Sequence, residues 1–404
     1  TEQEVAGWIS TTPIKVTVTL APGDSKKVEF GNRQLAWLDI IKFNDLNNNR
    51  VNDEAVPYNN IPWKGTLTGT PVFGSPVDES IDLPYGQWIE PGTYTVTEAD
   101  KVGWVNTTDK ALSVTLLPGD KKYLSFGNRQ LAWLEIQKFY DFNRDKIRQD
   151  NEQLLEGWKV NLTGTNAFGK KVSTDLVLAD GTWGDWIDPG EYTVTEYLPS
   201  NPQWVNTTDL SLKVSLQPGD EARVVFGNIY LGLGGGHTHG FWGNKNGQAQ
   251  FETDPAKYLS ALNSLYLVNE AGTRMTPFSD YAGYAAWNGS DANAVNMAYM
   301  LSVQLAAMQL NVTTGPALGF VNGNCYLYVG TAYEIKLAGS VVNVNGFITV
   351  NDLITAANNA LTANQLTTEG SPDRGYQTFL KDALDRANNN LNFVQEIPPK
   401  GPYF

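Results

Sequence analysis

The chain has 404 residues, 41% of them hydrophobic, which is enough for two or three domains with cores of their own. Its formal net charge of −14 is spread without acidic or basic blocks, which argues against nucleic acid or an anionic membrane as a partner. A single cysteine, Cys325, excludes an intrachain disulfide, and two neighbouring histidines exclude most acid–base enzymes.

The chain opens inside a repeat. The sequence FGNRQLAW occurs at residues 30–37 and again at 126–133. Aligning Trp8 with Trp104 and Trp204 places Glu2 on Glu98, and Asn32 on Asn128 and Asn228. Residues 1–34 therefore read as the second half of a unit, whose first half is expected from a neighbouring chain or from a longer precursor. Two complete repeats follow, 35–130 and 131–230. They share Leu-Thr-Gly-Thr at 67–70 and 162–165, Tyr-Thr-Val-Thr-Glu at 94–98 and 192–196, Trp-Val-Asn-Thr-Thr-Asp, and Pro-Gly-Asp before the closing Phe-Gly-Asn. Short alternating strands between Pro-Gly and Asn/Asp turns, in units of this length, predict tandem antiparallel β-sandwiches. Few residues separate one closing strand from the next opening one, so the string is expected to be stiff.

The glycine run at 231–236 reads as a linker. Beyond it, residues 237–396 read as an α-rich α+β domain, followed by a proline-punctuated tail, 397–404. Helices are predicted from Pro255 to about Val268, over 291–311, over 351–364 and over 372–392. A hairpin is expected from 326–329 and 334–344. No apolar run spans a membrane, and residues 1–20 carry no signal-peptide pattern.

Period-two reading of the repeats places Leu38, Ile40 and Lys42 on one inward face, with Tyr94, Val96, Glu98 and Leu124, Phe126, Asn128 on two others. The second repeat gives Lys138, Glu196 and Asn228 at the same places. An unpaired buried charge costs several kcal/mol, so a lysine and a glutamate at the ends of apolar stripes need compensating chemistry. A desolvated lysine is a neutral nucleophile, and a desolvated glutamic acid can polarise the asparagine carbonyl and shuttle a proton. Attack on the amide would release ammonia and leave a Lys–Asn isopeptide bond. The alternative is an unreacted ion pair hydrogen-bonded to the asparagine.

With these residues, 1 to about 230 resembles the B-type repeats of Gram-positive collagen-binding adhesins and pilins, and the B-like repeats of serine–aspartate surface proteins. The resemblance implies immunoglobulin-like or prealbumin-like sandwiches and autocatalytic isopeptide bonds. Each lysine is followed by an oxygen-rich loop: Asp45, Asn47, Asn49, Val51 and Asp53 in the first, Asp141, Asn143, Asp145, Ile147, Asp150 and Glu152 in the second. Alternate carboxylate and amide side chains, with a backbone carbonyl offered at Val51 or Ile147, match a Ca²⁺ loop, and the serine–aspartate repeats imply the same ion. The sixth place holds Arg50 or Lys146 where such loops have glycine, and the twelfth is Val56 in the first loop but Glu152 in the second. An ordinary Asn/Asp turn is the alternative.

His237 and His239 form an H-x-H pair that a metal could use, with Cys325 in principle a third ligand, but a structural pair at the end of the linker is the favoured reading. The surrounding Gly-Phe-Trp-x-Asn-Lys-Asn-Gly-Gln-Ala resembles the opening of an uncharacterised C-terminal domain of bacterial surface proteins, which implies surface location and no known activity. Asn106, Asn161, Asn206, Asn288 and Asn311 stand in glycosylation sequons. No organic-cofactor motif is present. The reading is of an extracellular, cell-surface structural protein that self-associates into a filament or sheath and acts chemically only on itself. An adhesin is the alternative, its C-terminal domain binding a glycan or protein ligand through Trp242 or Trp287. A metalloenzyme built on the histidines is the third.

Overall fold

The computed structural model describes residues 1–54, 62–289 and 295–404. Each complete repeat is a pair of facing four-stranded sheets. In the first repeat one sheet runs Tyr85–Ile89, Ala36–Asn44, Lys121–Gln130, Trp104–Asn106, and the other Val77–Leu83, Trp63–Pro71, Gly92–Glu98, Ala111–Leu116. The second repeat has the same order, with Thr182–Ile187, Ala132–Tyr140, Glu221–Gly232 and Trp204–Asn206 facing Lys171–Leu178, Trp158–Asn166, Gly190–Glu196 and Ser211–Leu216. The period-two pattern sorts side chains as a half-buried sheet requires. Along Ala36–Asn44, Ala36, Leu38 and Ile40 are buried, while Trp37, Asp39 and Ile41 are only partly covered. Leu67, Tyr94, Val96 and Phe126 close the core from the other strands. The chain is thus a string of β-sandwiches followed by a helical α+β region.

One pair in each repeat departs from the antiparallel expectation: the first and last strands run parallel, Lys42 opposite Phe126 and Lys138 opposite Phe226. The cause is the path of the chain, which enters a sandwich at one end and leaves at the other. That path lets the next repeat begin after a single residue, Leu35 or Leu131.

Successive joins are built alike. Leu35 N–H donates to Gly7 O (2.8 Å) and its carbonyl accepts from Gly119 N–H (3.0 Å); Leu131 does the same with Gly103 (2.8 Å) and Gly219 (2.9 Å). Arg33 pairs with Glu90 at 2.6 Å, and Arg129 with Asp188. Trp37 meets Trp88 edge to face, as Trp133 meets Trp186. Gly103 has φ of +77° and a Cβ there would lie 3.0 Å from the Trp186 ring, so this turn takes glycine on both counts.

The C-terminal region is built on Met297–Thr314, buried on nearly all sides. A helix apolar all round belongs at the centre of its domain, and Pro255–Asn263, Val350–Ala363 and Arg374–Asn388 pack around it. Residues 290–294, in the expected helix start, lie outside the described residues; Asn296 caps the helix by accepting from Ala298 N–H. His239–Trp242, Lys245–Phe251 and Tyr281–Asn288 are helices the periodicity did not reveal. The helix from Pro255 stops at Asn263, whose side chain bonds the backbone of Phe278. The expected hairpin is replaced by two pairings, Tyr326–Tyr328 with Phe347–Thr349 and Lys336–Leu337 with Ser340–Val341.

The glycine run expected to be a linker is packed. Leu231 and Gly232 continue the closing strand and pair with Phe393–Val394, and the amides of Gly234 and Gly236 donate to Asn390 Oδ1. One sheet therefore passes from the second sandwich into the C-terminal region. Tyr140, Trp158, Trp204, Ile229, Leu231 and Phe347 form a small core at the junction. The tail folds back on it, Tyr403 and Phe404 meeting the Trp158 ring.

Candidate functional site

Lysine, glutamate and asparagine meet in each sandwich. Lys42 stands 2.9 Å from Glu98, and Lys138 2.7 Å from Glu196, with all four side chains excluded from solvent. Lys42 donates to Asn128 Oδ1 and, at 3.3 Å, to Phe126 O. In the second repeat Asn228 Nδ2 donates to Glu196 Oε1 (2.8 Å), and Asn228 Oδ1 is buried without a hydrogen-bond partner among the described residues. An amide turned about its Cβ–Cγ bond exchanges these two atoms. Both arrangements place an amide carbon beside an amine and a carboxyl.

Burial lowers Lys42 from 10.5 to about 8, against the opposing pull of Glu98, and lowers Lys138 to about 8 in the same way. Burial raises Glu98, and its bonds to Lys42 and Asn128 only partly offset this. The shifts have the sense expected when desolvation outweighs pairing: both groups of the first pair move toward their neutral forms.

Several contributors were not singled out in the sequence. The Trp63 ring lies 4.4 Å from Lys42 Nζ and the Trp158 ring 4.7 Å from Lys138 Nζ, closing the remaining side with an aromatic face. Their signal was present: both tryptophans stand four residues before Leu-Thr-Gly-Thr. The Trp-Val-Asn-Thr-Thr motif holds the asparagine strand. Thr108 Oγ1 accepts from Gly127 N–H (3.0 Å), Thr208 Oγ1 from Gly227 N–H (3.1 Å), and Thr107 and Thr207 N–H donate back to the same glycines. A Cβ on Gly127 would lie 2.5 Å from the Phe43 ring and 2.7 Å from Thr107 Oγ1, so the glycine before Asn128 lets two side chains press on the strand. Asn106 Nδ2 donates to Glu98, adding a fourth member to the first cluster.

In residues 1–34, Asn32 donates to Glu2, and Asn32 is exposed. Two short strands, Trp8–Ser10 and Asn32–Gln34, are paired here.

The acidic loops close on themselves. Asp45 accepts from the amides of Asn49 and Arg50, Asn47 Oδ1 from Asn49 N–H, and Asn49 Oδ1 from Val51 N–H. Asp53 accepts from Asn47 and Asn49. Asp141 accepts from Asp145 and Lys146, Asn143 Oδ1 from Asp145 N–H, and Asp145 from Ile147 N–H. Arg50 and Lys146 both have φ of +69°, so these residues take the backbone form that glycine takes in calcium loops. Glu152 is buried, with Oε1 unpartnered among the described residues, and its carboxyl is raised by burial and by Asp141 and Asp145. Glu54, missed in the sequence, plays this part in the first loop: it accepts from Asn47 N–H (3.0 Å) and its Oε2 is buried and unpartnered. Orphaned carboxylate oxygens beside an acidic loop fit a cation. Asp150 does not join them; its side chain is fully exposed beside Arg148. Val56 lies outside the described residues. No three His, Cys, Asp or Glu side chains gather to hold a metal among the described residues.

The histidines serve the fold. His237 stacks on Phe241 with centroids 4.1 Å apart and its Nε2 contacts Leu318 O at 3.3 Å, while His239 opens a helix. Trp242 and Trp287 are buried and donate to Asn311 Oδ1 and Val268 O, so neither offers a face to a glycan. Asn288 and Asn311 are buried and bonded to His239 O and His237 O, which excludes glycans there in the folded chain. Asn106, Asn161 and Asn206 commit their amides to Glu98, Asp175 and Thr208 O. No helix among the described residues is long and apolar enough to cross a membrane.

No family model matches the chain, and no curated protein matches it. Among solved structures it is similar to the Bacillus anthracis TIE protein, at 15% identity over 49% of this chain and 34% of that one, with a TM-score of 0.23. It is also similar to GBS52, the minor pilin of Streptococcus agalactiae (12% identity, 48% and 96% coverage, TM-score 0.21). The Lactobacillus rhamnosus GG shaft pilin SpaA is a third, at 13% identity, 50% and 99% coverage and TM-score 0.19.

Proposed function

We propose that the chain is an extracellular structural protein, a subunit of a cell-surface filament or sheath, whose sandwiches cross-link themselves between first and last strands. The observation that carries this is the sealing of Lys–Glu–Asn sets in two apolar cores. The neutral amine of Lys42 attacks Cγ of Asn128 while Glu98, as the neutral acid, hydrogen-bonds the amide oxygen. A C–N bond forms, the original amide C–N bond breaks, and Glu98 carries the amine proton to the departing ammonia. In the second repeat Lys138 attacks Asn228 with the same exchange of bonds, and Glu196, 2.7 Å from the amine and hydrogen-bonded to the amide, relays the proton to the leaving ammonia. The bond ties together parallel strands at opposite ends of a repeat, so a pull along the string loads a covalent link.

Ca²⁺ is the proposed ligand of the two loops, held by Asp45, Asn47, Asn49 and Glu54 in one and Asp141, Asn143, Asp145 and Glu152 in the other. The structural claim is tested by electron microscopy and light scattering of the purified chain at rising concentration. Elongated species that persist in denaturant support it; a chain that stays monomeric while residues 237–404 retain a glycan or protein ligand supports an adhesin.

A further inference from the structure

We propose that Asn106 is a positioning residue for the cross-link of the first repeat, its side-chain amide holding Glu98 Oε2 so that the carboxyl is fixed at the angle from which Oε1 serves Lys42 and Asn128. The assignment rests on the covalent reading of the two complete repeats and gives the first of them a fourth working residue, which the second lacks.

The fold delivers Asn106 to this place from the edge of a sheet. Trp104–Asn106 pairs antiparallel with the closing strand, Asn106 directly opposite Asn128, and residues opposite each other in such a pair share a face. Along Trp104–Asn106 only Val105 is exposed, so the tryptophan and the asparagine take the inward side. Trp104 meets Trp63 edge to face at 5.5 Å, and Trp63 is the ring that lies over the Lys42 amine. One short strand thus braces the cover of the lysine through Trp104 and reaches the glutamate through Asn106.

The two oxygens of Glu98 are divided between partners. Oε1 is 2.9 Å from Lys42 Nζ, and Oε2 accepts from Asn106 Nδ2. A carboxyl gripped at both oxygens cannot turn, and a proton shuttle must keep one orientation while the amine and the leaving group exchange roles in front of it. Burial raises Glu98, and the Asn106 donor joins Lys42 and Asn128 in pulling it back, which leaves the carboxyl able to give up the proton it has taken. Asn106 itself makes and breaks no covalent bond: Lys42 Nζ still bonds to Cγ of Asn128, the Asn128 amide C–N bond still breaks, and Glu98 still carries the amine proton to the departing ammonia.

The second repeat supplies the comparison. Asn206 stands opposite Asn228 in the same Trp-Val-Asn motif, yet its Nδ2 donates to Thr208 O at 2.7 Å. Glu196 there meets both Lys138 (2.7 Å) and Asn228 Nδ2 (2.8 Å) through Oε1, and its Oε2 is buried without a hydrogen-bond partner among the described residues. The atom that Asn106 holds in one repeat is the atom left over in the other.

The 404-residue chain is made by cell-free synthesis, sampled at intervals after translation is stopped, denatured and digested. The Lys42–Asn128 and Lys138–Asn228 cross-linked peptides are followed separately by mass spectrometry. Asn106→Ala is expected to slow the first bond by about tenfold or more, a modest share of what a misplaced catalytic group costs, and to leave the second bond in the same molecules unchanged. Asn106→Asp, which keeps the size and loses the amide donor, also slows the first bond, and Asn106→Gln, which restores a donor, forms it faster than Asn106→Asp. Asn206→Ala leaves the second bond at its wild-type rate. A first bond that forms at the wild-type rate in Asn106→Ala or Asn106→Asp overturns the inference and leaves the covalent reading standing. The same holds for Asn106→Gln no faster than Asn106→Asp, for equal slowing of both bonds by Asn106→Ala, and for a second bond slowed as much by Asn206→Ala. Each of these marks a general effect on the strand in place of a grip on the carboxyl. Wild-type chain in which neither peptide pair is cross-linked removes the parent reading and this inference together.

Discussion

The chemistry turns on where individual protons sit. With Lys42 at about 8, roughly a tenth of it is neutral amine near pH 7, against fewer than about one in a thousand for an ordinary lysine. Bond formation in freshly refolded chain should therefore accelerate as pH rises toward 8 and then level off, followed by intact mass against time. In Asn128→Ala plus Asn228→Ala protein neither lysine is cross-linked. Their pKa is lower folded than unfolded, so the unfolded chain binds more protons and stability rises with pH between about 8 and 10.5. Glu98, raised from 4.5, acts in the opposite sense, its contribution fading as pH rises above that value. Denaturant midpoints across pH 7–11 should slope upward in the variant and lie flat in cross-linked wild type. Gly127→Ala presses a methyl into Phe43 and Thr107; we expect a loss of about 1–3 kcal/mol in urea unfolding, the usual range for overpacking. At this scale alternation was a sound guide to which side chains face the core, because a sheet allows only two directions. It gave no access to Trp63, Asn106 or Glu54, whose contacts come from strands and turns that alternation does not order in space.

Among elements, the acidic loops and the joins carry the predictions. If the orphaned Glu54 and Glu152 oxygens bind a cation, adding Ca²⁺ to chelator-treated protein raises its melting temperature by several degrees, and Glu54→Gln plus Glu152→Gln removes most of the gain. An equal melting temperature with and without Ca²⁺ contradicts the assignment. The spacing of loop oxygens was legible in the sequence, but Asp150 was misplaced because the chain turns its side chain to solvent beside Arg148. At the joins, Arg129–Asp188 and the Trp186 ring on Gly103 hold one sandwich against the next. Asp188→Ala plus Trp186→Ala should leave each sandwich folded and broaden the distribution of lengths seen by small-angle X-ray scattering. Strand order was readable in outline from turn signals. The parallel pairing was not, since it depends on where the chain leaves each sandwich.

For the whole molecule, the repeats were legible as a string because they recur, whereas the C-terminal region was legible only as helical. The glycine run misled because its composition suits a tether, while here small residues allow close approach to Asn390 and Phe393. The string is therefore continuous in its sheet with the region that follows it, and the proposed Lys–Asn bonds would brace each of its two complete sandwiches covalently. Electrospray mass of the denatured 404-residue chain tests this most directly. The expected result is a deficit of about 34 Da, two molecules of ammonia, that disappears in Glu98→Ala plus Glu196→Ala protein. A full calculated mass would contradict it and reduce the Lys–Glu–Asn sets to buried ion pairs.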